Sequence, residues 1–280
     1  MKKTINITKL HLQSWISNYT IWSGLGIGLG LCMIYVFRFT SLCNAIGTQC
    51  QIVEPYIIMG NMSKHSFTGI FLGCMVILSD TPFINKQSTY EILRVGTRTW
   101  IRSQIAYIFI ATLLYNFLIF VICVTLGITK SNVCFDNKWS NVMTLLAVRQ
   151  PTFAVSNFKV FFPYENFIYA VTPYSGALLT LLFNSAYCIV VVMLMFIINI
   201  WSKTNIGWIA SAAVHIIGYV VSNNRNIFFN LSVSLLECAF PATLFSEDSP
   251  MGLFWAAWSL ATLLLVLTEI SQNSHQRLVV

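Results

Sequence analysis

The chain has 280 residues, of which 56% are hydrophobic and 9% charged, with a formal net charge of +7. A water-facing domain carries roughly 25% charged residues, so most of this surface must face lipid. The cations lie in short segments between apolar runs, which excludes the continuous basic face or aromatic-plus-basic module of a nucleic-acid binder.

The fold class expected is all-α integral membrane: six transmembrane helices, an N-terminal interfacial helix and a re-entrant segment before the last span, in a single domain covering residues 1–280. In residues 1–18, Lys2, Lys3 and Lys9 precede Leu12, Trp15, Ile16 and Tyr19, which follow i, i+3, i+4, i+7 spacing. That pattern predicts an amphipathic helix lying in the membrane interface. The apolar run at 19–39 is long enough to span, and no small-x-small cleavage site follows it, so the segment reads as retained.

This first span contains Gly24, Gly26, Gly28 and Gly30. Gly24/Gly28 and Gly26/Gly30 are two overlapping small-x-x-x-small pairs, which let helices approach closely and make them candidates for helix contacts or a dimer interface. A phosphate loop would need a strand before it and water around it, so that reading fails. Beyond the span, Cys43 and Cys50 fall in one loop, where spacing alone leaves a disulfide open. The other cysteines form no C-x-x-C pair, and those inside apolar runs read as small buried hydrophobes.

The second span, 56–78, is interrupted by Lys64 and His65. A cytoplasmic segment at 79–103 follows. In it Ser88 and Glu91 have the spacing of a capping box, which predicts a helix from Thr89. Arg94, Arg98 and Arg102 then recur every four residues and would share one face of a helix reaching Arg102. By these residues alone the helix either fixes topology through its positive charge or docks a partner or anionic headgroups.

The string S-D-x-P-F, followed by Y-E-I-L-R-V-G-T-R-x-W-I-x-x-Q, from Ser79 to Gln104, resembles the cytoplasmic loop of ABC permeases of the type 2 exporter class. It is most similar to small six-span bacterial members. The motif likeness covers this loop, and the likeness in layout covers the whole chain. The resemblance implies a bacterial cytoplasmic membrane location, a separate cytoplasmic ABC ATPase partner, and a second permease copy or homologue. It implies ATPase coupling through Asp80, Pro82, Glu91, Arg94, Arg98 and Arg102. It also implies that ATP and Mg bind to the partner, with no cofactor held directly by this chain. The interfacial helix would touch the same ATPase.

A third span at 100–126 leads into an external loop at 127–173, and a fourth at 174–201 contains no charge. The fifth, 206–222, carries Gly207, Ser211, His215, Gly218 and Ser222 on one helical face. An ionisable group at membrane depth is a functional candidate by default, although a neutral histidine bonded to a neighbouring helix serves packing alone. Residues 227–245 are too apolar for an ordinary loop and are punctuated by Glu237 and Pro241, as a re-entrant segment would be. A seventh span is the competing reading. Ser211, His215 and Glu237 are the candidates for a translocation path, and the last span is 251–268.

Lys and Arg are slightly more numerous on one side, which places both termini in the cytoplasm. No G-x-x-x-x-G-K-[ST], H-E-x-x-H or G-x-S-x-G string occurs, and the four histidines are scattered, which argues against an enzyme or a metal cluster. Two other functions remain open: a stand-alone secondary carrier or channel, and a membrane immunity or accessory protein.

Overall fold

A computed structural model describes residues 2–61, 64–82, 86–149, 151–223, 235–245 and 251–273. Four helices in it are long and apolar enough to cross a membrane: α2 (Tyr19–Ile46), α6 (Thr97–Lys130), α9 (Pro173–Ser202) and most of α12 (Met251–Asn273). Two shorter apolar helices, α4 (Lys64–Leu78) and α10 (Gly207–Asn223), pack among them.

The absence of charge in α9 has a packing cause. Within its apolar window 72% of residues are buried, against 28% for α2, 39% for α6 and 22% for the C-terminal helix. A helix surrounded on all sides carries apolar residues all round. Thr172 opens α9 with a capping box to Ser175, and Pro173 sits at the first turn, where its missing N–H costs nothing.

The expected helix over residues 1–18 is shorter and docks differently. α1 (Lys2–Gln13) ends before a 3₁₀ turn, Ser14–Ser17, so Leu12, Trp15 and Tyr19 do not share one helix. The Asn18 side chain accepts from Thr20 N at 3.0 Å and restarts the chain as α2. α2 then continues past residue 39 to Ile46, where Gly47 takes a left-handed φ of 71° and closes it.

The interrupted second span is two helices, α3 (Glu54–Asn61) and α4. α3 ends at Asn61, whose buried amide donates to Ile57 O (3.0 Å) and Thr180 Oγ1 (2.9 Å) and accepts from Ala242 N (3.1 Å). One side chain thus joins the end of α3 to α9 and to the short helix α11 (Pro241–Leu244). Residues 235–245 otherwise hold a 3₁₀ turn, Glu237–Ala239; the rest of the expected re-entrant segment lies outside the described residues.

The expected continuous helix from Thr89 to Arg102 is broken. α5 (Lys86–Val95) starts three residues before Thr89, and Gly96 at φ 84° and ψ 145° separates it from α6. No residue with a side chain adopts that backbone readily; Gly96 N–H donates to Ile92 O at 2.8 Å to close one helix, and Gly96 O accepts from Trp100 N at 3.1 Å to open the next. Arg94 therefore sits on a different helix from Arg98 and Arg102. With 34 residues, α6 is about 50 Å long and exceeds the roughly 30 Å of a hydrocarbon core.

The expected plain loop at 127–173 is a small cap. Among the described residues the one departure from all-α structure is a parallel pairing of β1 (Cys50–Gln51) with β2 (Val133–Cys134) at this cap. Two short helices follow, α7 (Asn141–Val148) and α8 (Glu165–Ala170), around fully buried Val160, Phe162 and Phe167. The Glu54 carboxylate ties this cap to α3, accepting from Gln51 N at 2.9 Å and Ser140 N at 2.7 Å.

Candidate functional site

At one end of the bundle, α1, α5 and the start of α6 form one unit. Thr8, His11 and Trp15 face Ser103, Gln104 and Tyr107. Thr8 Oγ1 donates to Ser103 O at 3.1 Å, and Trp15 Nε1 donates to the Tyr107 hydroxyl at 3.0 Å. The Gln104 amide nitrogen lies 3.0 Å from His11 Nε2, and the Tyr107 ring meets the imidazole edge-on at 5.8 Å. Polar contacts thus join apolar packing in fixing this segment to α6: Trp15 of the sequence pattern makes one of them, and Leu12 and Trp15 also pack against the core.

His11 also faces α5. Its Nε2 lies 3.7 Å from Glu91 Oε2. Burial lowers the His11 pKa, and the nearby Glu91 carboxylate opposes that shift. The imidazole is therefore neutral at pH 7, with Nε2 accepting from the Gln104 amide. Glu91 faces inward to α1, and among the described side chains of α5 the exposed ones are Tyr90 (74% exposed), Leu93 (78%) and Arg94. A half-open cleft of ≈ 490 Å³ runs between the two helices, lined by Ile7, Leu10, Glu91, Arg94 and Val95 among others.

The remaining coupling candidates are near but separate. Asp80 is exposed and Pro82 buried in the turn after α4, and Arg98 and Arg102 are exposed one turn apart on α6. The turn is held from an unexpected direction. Asn199, near the end of α9, donates its side-chain amide to Thr81 O at 2.8 Å and accepts from Gly207 N at 2.8 Å.

The translocation-path candidates occupy a packed interior. On α10, Ser211 Oγ donates to Val191 O at 3.2 Å. His215 Nδ1 lies 2.9 Å from the Tyr187 hydroxyl and Nε2 lies 3.1 Å from Thr68 Oγ1, with the ring stacked on Phe71 at 4.0 Å. Both ring nitrogens are thus engaged by neighbouring helices, which is a packing arrangement. Buried Glu237 follows Leu236, whose side chain covers Gly218, three residues and just under one turn from His215 on the same helix.

The four glycines of α2 divide into two pairs with opposite surroundings. A Cβ at Gly24 would meet Gly73 O at 2.6 Å on α4, and one at Gly28 would run into the Tyr115 hydroxyl of α6. Gly26 and Gly30 have nothing within 4 Å of where a Cβ would stand. The first pair makes contacts within the chain; the second faces outward.

Sequence reasoning missed Thr8, Glu54, Asn61 and Asn199. A signal existed for the last two: a carboxamide inside an apolar run is costly in lipid unless it bonds another element. Among the described residues, no group of three or more His, Cys, Asp or Glu is placed to hold a metal ion. Comparison with protein-family models, with curated proteins and with solved structures finds no match to any of them.

Proposed function

We propose that this chain is the membrane-spanning permease subunit of an ABC exporter of the type 2 class, moving a peptide, lipid-like or drug-like substrate. In this reading it spans a bacterial cytoplasmic membrane six times with both termini inside, α3 and α4 together making the second span. It pairs with a second permease copy or homologue. ATP and Mg are held, and ATP is hydrolysed, on separate cytoplasmic ATPase subunits.

The observation that carries the reading is the state of α5. Its Glu91 side is held against α1, while Tyr90, Leu93 and Arg94 form an uncovered apolar and basic surface. A large exposed apolar patch rimmed by charge marks an interaction surface. α5 then seats on the ATPase, and ATP binding biases the permease between inward-open and outward-open states through its differential affinity for the two. The test is Arg94→Glu/Arg98→Glu in the complex with the neighbouring ATPase. The double variant should insert normally and lose substrate-stimulated ATP hydrolysis; full coupling in it would sink the docking role.

A second reading, a stand-alone secondary carrier, draws on the making of the second span from two helices, α3 and α4, and on Asn184. That amide is fully buried beside the Tyr56 hydroxyl, outside good hydrogen-bond geometry. Carriers place such breaks around a midplane site. Gradient-driven uptake by the isolated chain in liposomes would favour it over the permease reading.

A further inference from the structure

Exposed aromatic side chains mark where one end of the bundle meets lipid headgroups. Tyr19 and Trp22 open α2, and Trp201 and Trp208 flank the turn between α9 and α10; all four are exposed. Asn199 ties that turn to the turn after α4, and Gly24 of α2 packs against Ile77 near the end of α4, so the four rings share one end. Trp and Tyr gather at the membrane–water boundary, where the ring meets hydrocarbon and its N–H or O–H meets water or headgroups. α1 enters α2 through the turn at Ser14–Ser17 and so lies at that boundary. On it Ile5 and Leu10 stay more than half exposed, beside exposed Lys9. Uncovered apolar side chains next to a lysine suit a helix resting between acyl chains and headgroups.

The cleft between α1 and α5 opens at this level. Its ≈ 490 Å³ lies within the roughly 300–1,000 Å³ of small-molecule sites. Ile7, Leu10 and Val95 give it an apolar wall, and the polar residues of the described lining are Asn6, Glu91 and Arg94. Glu91 is turned toward His11 at 3.7 Å, so the charge this lining offers a ligand is the exposed Arg94 guanidinium. Lys9 on α1 and Arg98 and Arg102 on α6 are exposed cations on the flanking helices. A small soluble anion would find no donor along the apolar wall, and a neutral hydrocarbon would leave the guanidinium unmatched. A phosphate joined to an acyl chain satisfies both, because arginine holds phosphate through paired N–H···O bonds.

We propose that the cleft between α1 and α5 binds one anionic phospholipid from the surrounding bilayer. Its phosphate pairs with Arg94, and an acyl chain lies along Ile7, Leu10 and Val95. The bound lipid touches both helices and ties α5 to the bilayer. The site is the same for either orientation of the chain across the membrane, so it stands apart from the exporter reading.

The test is photolabelling of the purified full chain in detergent, with phosphatidylglycerol or phosphatidylcholine carrying a diazirine in one acyl chain. Labelled peptides are read by mass spectrometry. Phosphatidylglycerol should label the peptides holding Ile7, Leu10 and Val95, phosphatidylcholine should label them several-fold less, and excess inorganic phosphate should leave the yield unchanged. Arg94→Gln should lower the yield about fivefold, as loss of one cation facing an anionic lipid does. Leu10→Trp fills the cleft from an exposed position and keeps Arg94, and it should abolish labelling at Val95. Equal labelling by the two lipids, labelling confined to the outer faces of α2 and α12, or full yield in either variant overturns the proposal. Displacement by inorganic phosphate also overturns it, and assigns Arg94 to a soluble anion. The sample contains no ATPase, so failure of the docking role leaves these outcomes unchanged.

Discussion

The side-chain amide of Asn199 donates to Thr81 O and accepts from Gly207 N, both at 2.8 Å, so one residue bridges the turn after α4 to the turn between α9 and α10. Both partners are backbone groups, and a buried backbone group without a partner costs about 1–3 kcal/mol. Asn199→Leu should lower the thermal unfolding midpoint in detergent by several degrees, and Asn61→Leu should do the same through Ala242 N. An unchanged midpoint in both would show that water replaces these bonds.

The α2 glycines make opposite demands on a substituted side chain. Gly24→Val puts methyl groups against the α4 backbone at Gly73, where overpacking costs about 1–3 kcal/mol. Gly26→Val points into open space and should leave the unfolding midpoint of the single chain unchanged. Measuring both variants in the same detergent gives a ranking, and a larger loss from Gly26→Val would contradict the seam. Should Gly26→Val alone weaken self-association, the outward pair is where a second copy sits.

Glu54 joins the cap to α3 by accepting from two backbone N–H groups, those of Gln51 and Ser140. Glu54→Gln leaves one acceptor oxygen for the two donors, because the NH₂ cannot accept from a backbone N–H, and a buried donor left without a partner costs about 1–3 kcal/mol. The variant should therefore melt several degrees below the parent chain in the same detergent. An unchanged midpoint would show that the two bonds do not hold the cap.

His11 and Trp15 hold α1 onto α6 through two polar contacts. Losing the Trp15–Tyr107 bond in Trp15→Phe should cost about 1 kcal/mol. His11→Ala should speed amide hydrogen exchange across residues 2–13 and leave α9 unaffected. Equal acceleration in both helices would mean that the contact supports the whole bundle. Because burial keeps His11 neutral, protonation below its ordinary pKa should loosen α1 in the same manner.

Apolar length was legible in the sequence, and breaks in it were not. The run at 174–201 matches α9 to within a residue at each end, since a charge-free stretch surrounded by helices has one outcome. The arginine spacing at 94, 98 and 102 implied one helix, because periodicity counts residues and ignores the backbone at Gly96. The lead-in misled in the opposite way. Leu12 and Trp15 pack inward as their spacing implies, yet Thr8 and His11 join them in contact, since Ser103 and Gln104 opposite them on α6 are polar. The cap at 127–173 showed no period because its helices are short and held by single bonds such as Trp139 Nε1 to Val171 O at 2.8 Å.

The interruption at Gly96 decides how motion travels at this end of the molecule. An unbroken rod would carry an axial push from Arg94 straight into α6. Two rods meeting at a swivel instead pass on torque and sideways thrust, and the magnitude transmitted depends on the brace that spans the gap. That brace is α1, which grips Glu91 on one rod and Gln104 and Tyr107 on the other through a single imidazole. The stiffness of the whole linkage is therefore set by residues 2–15, with Trp15 adding its bond to Tyr107.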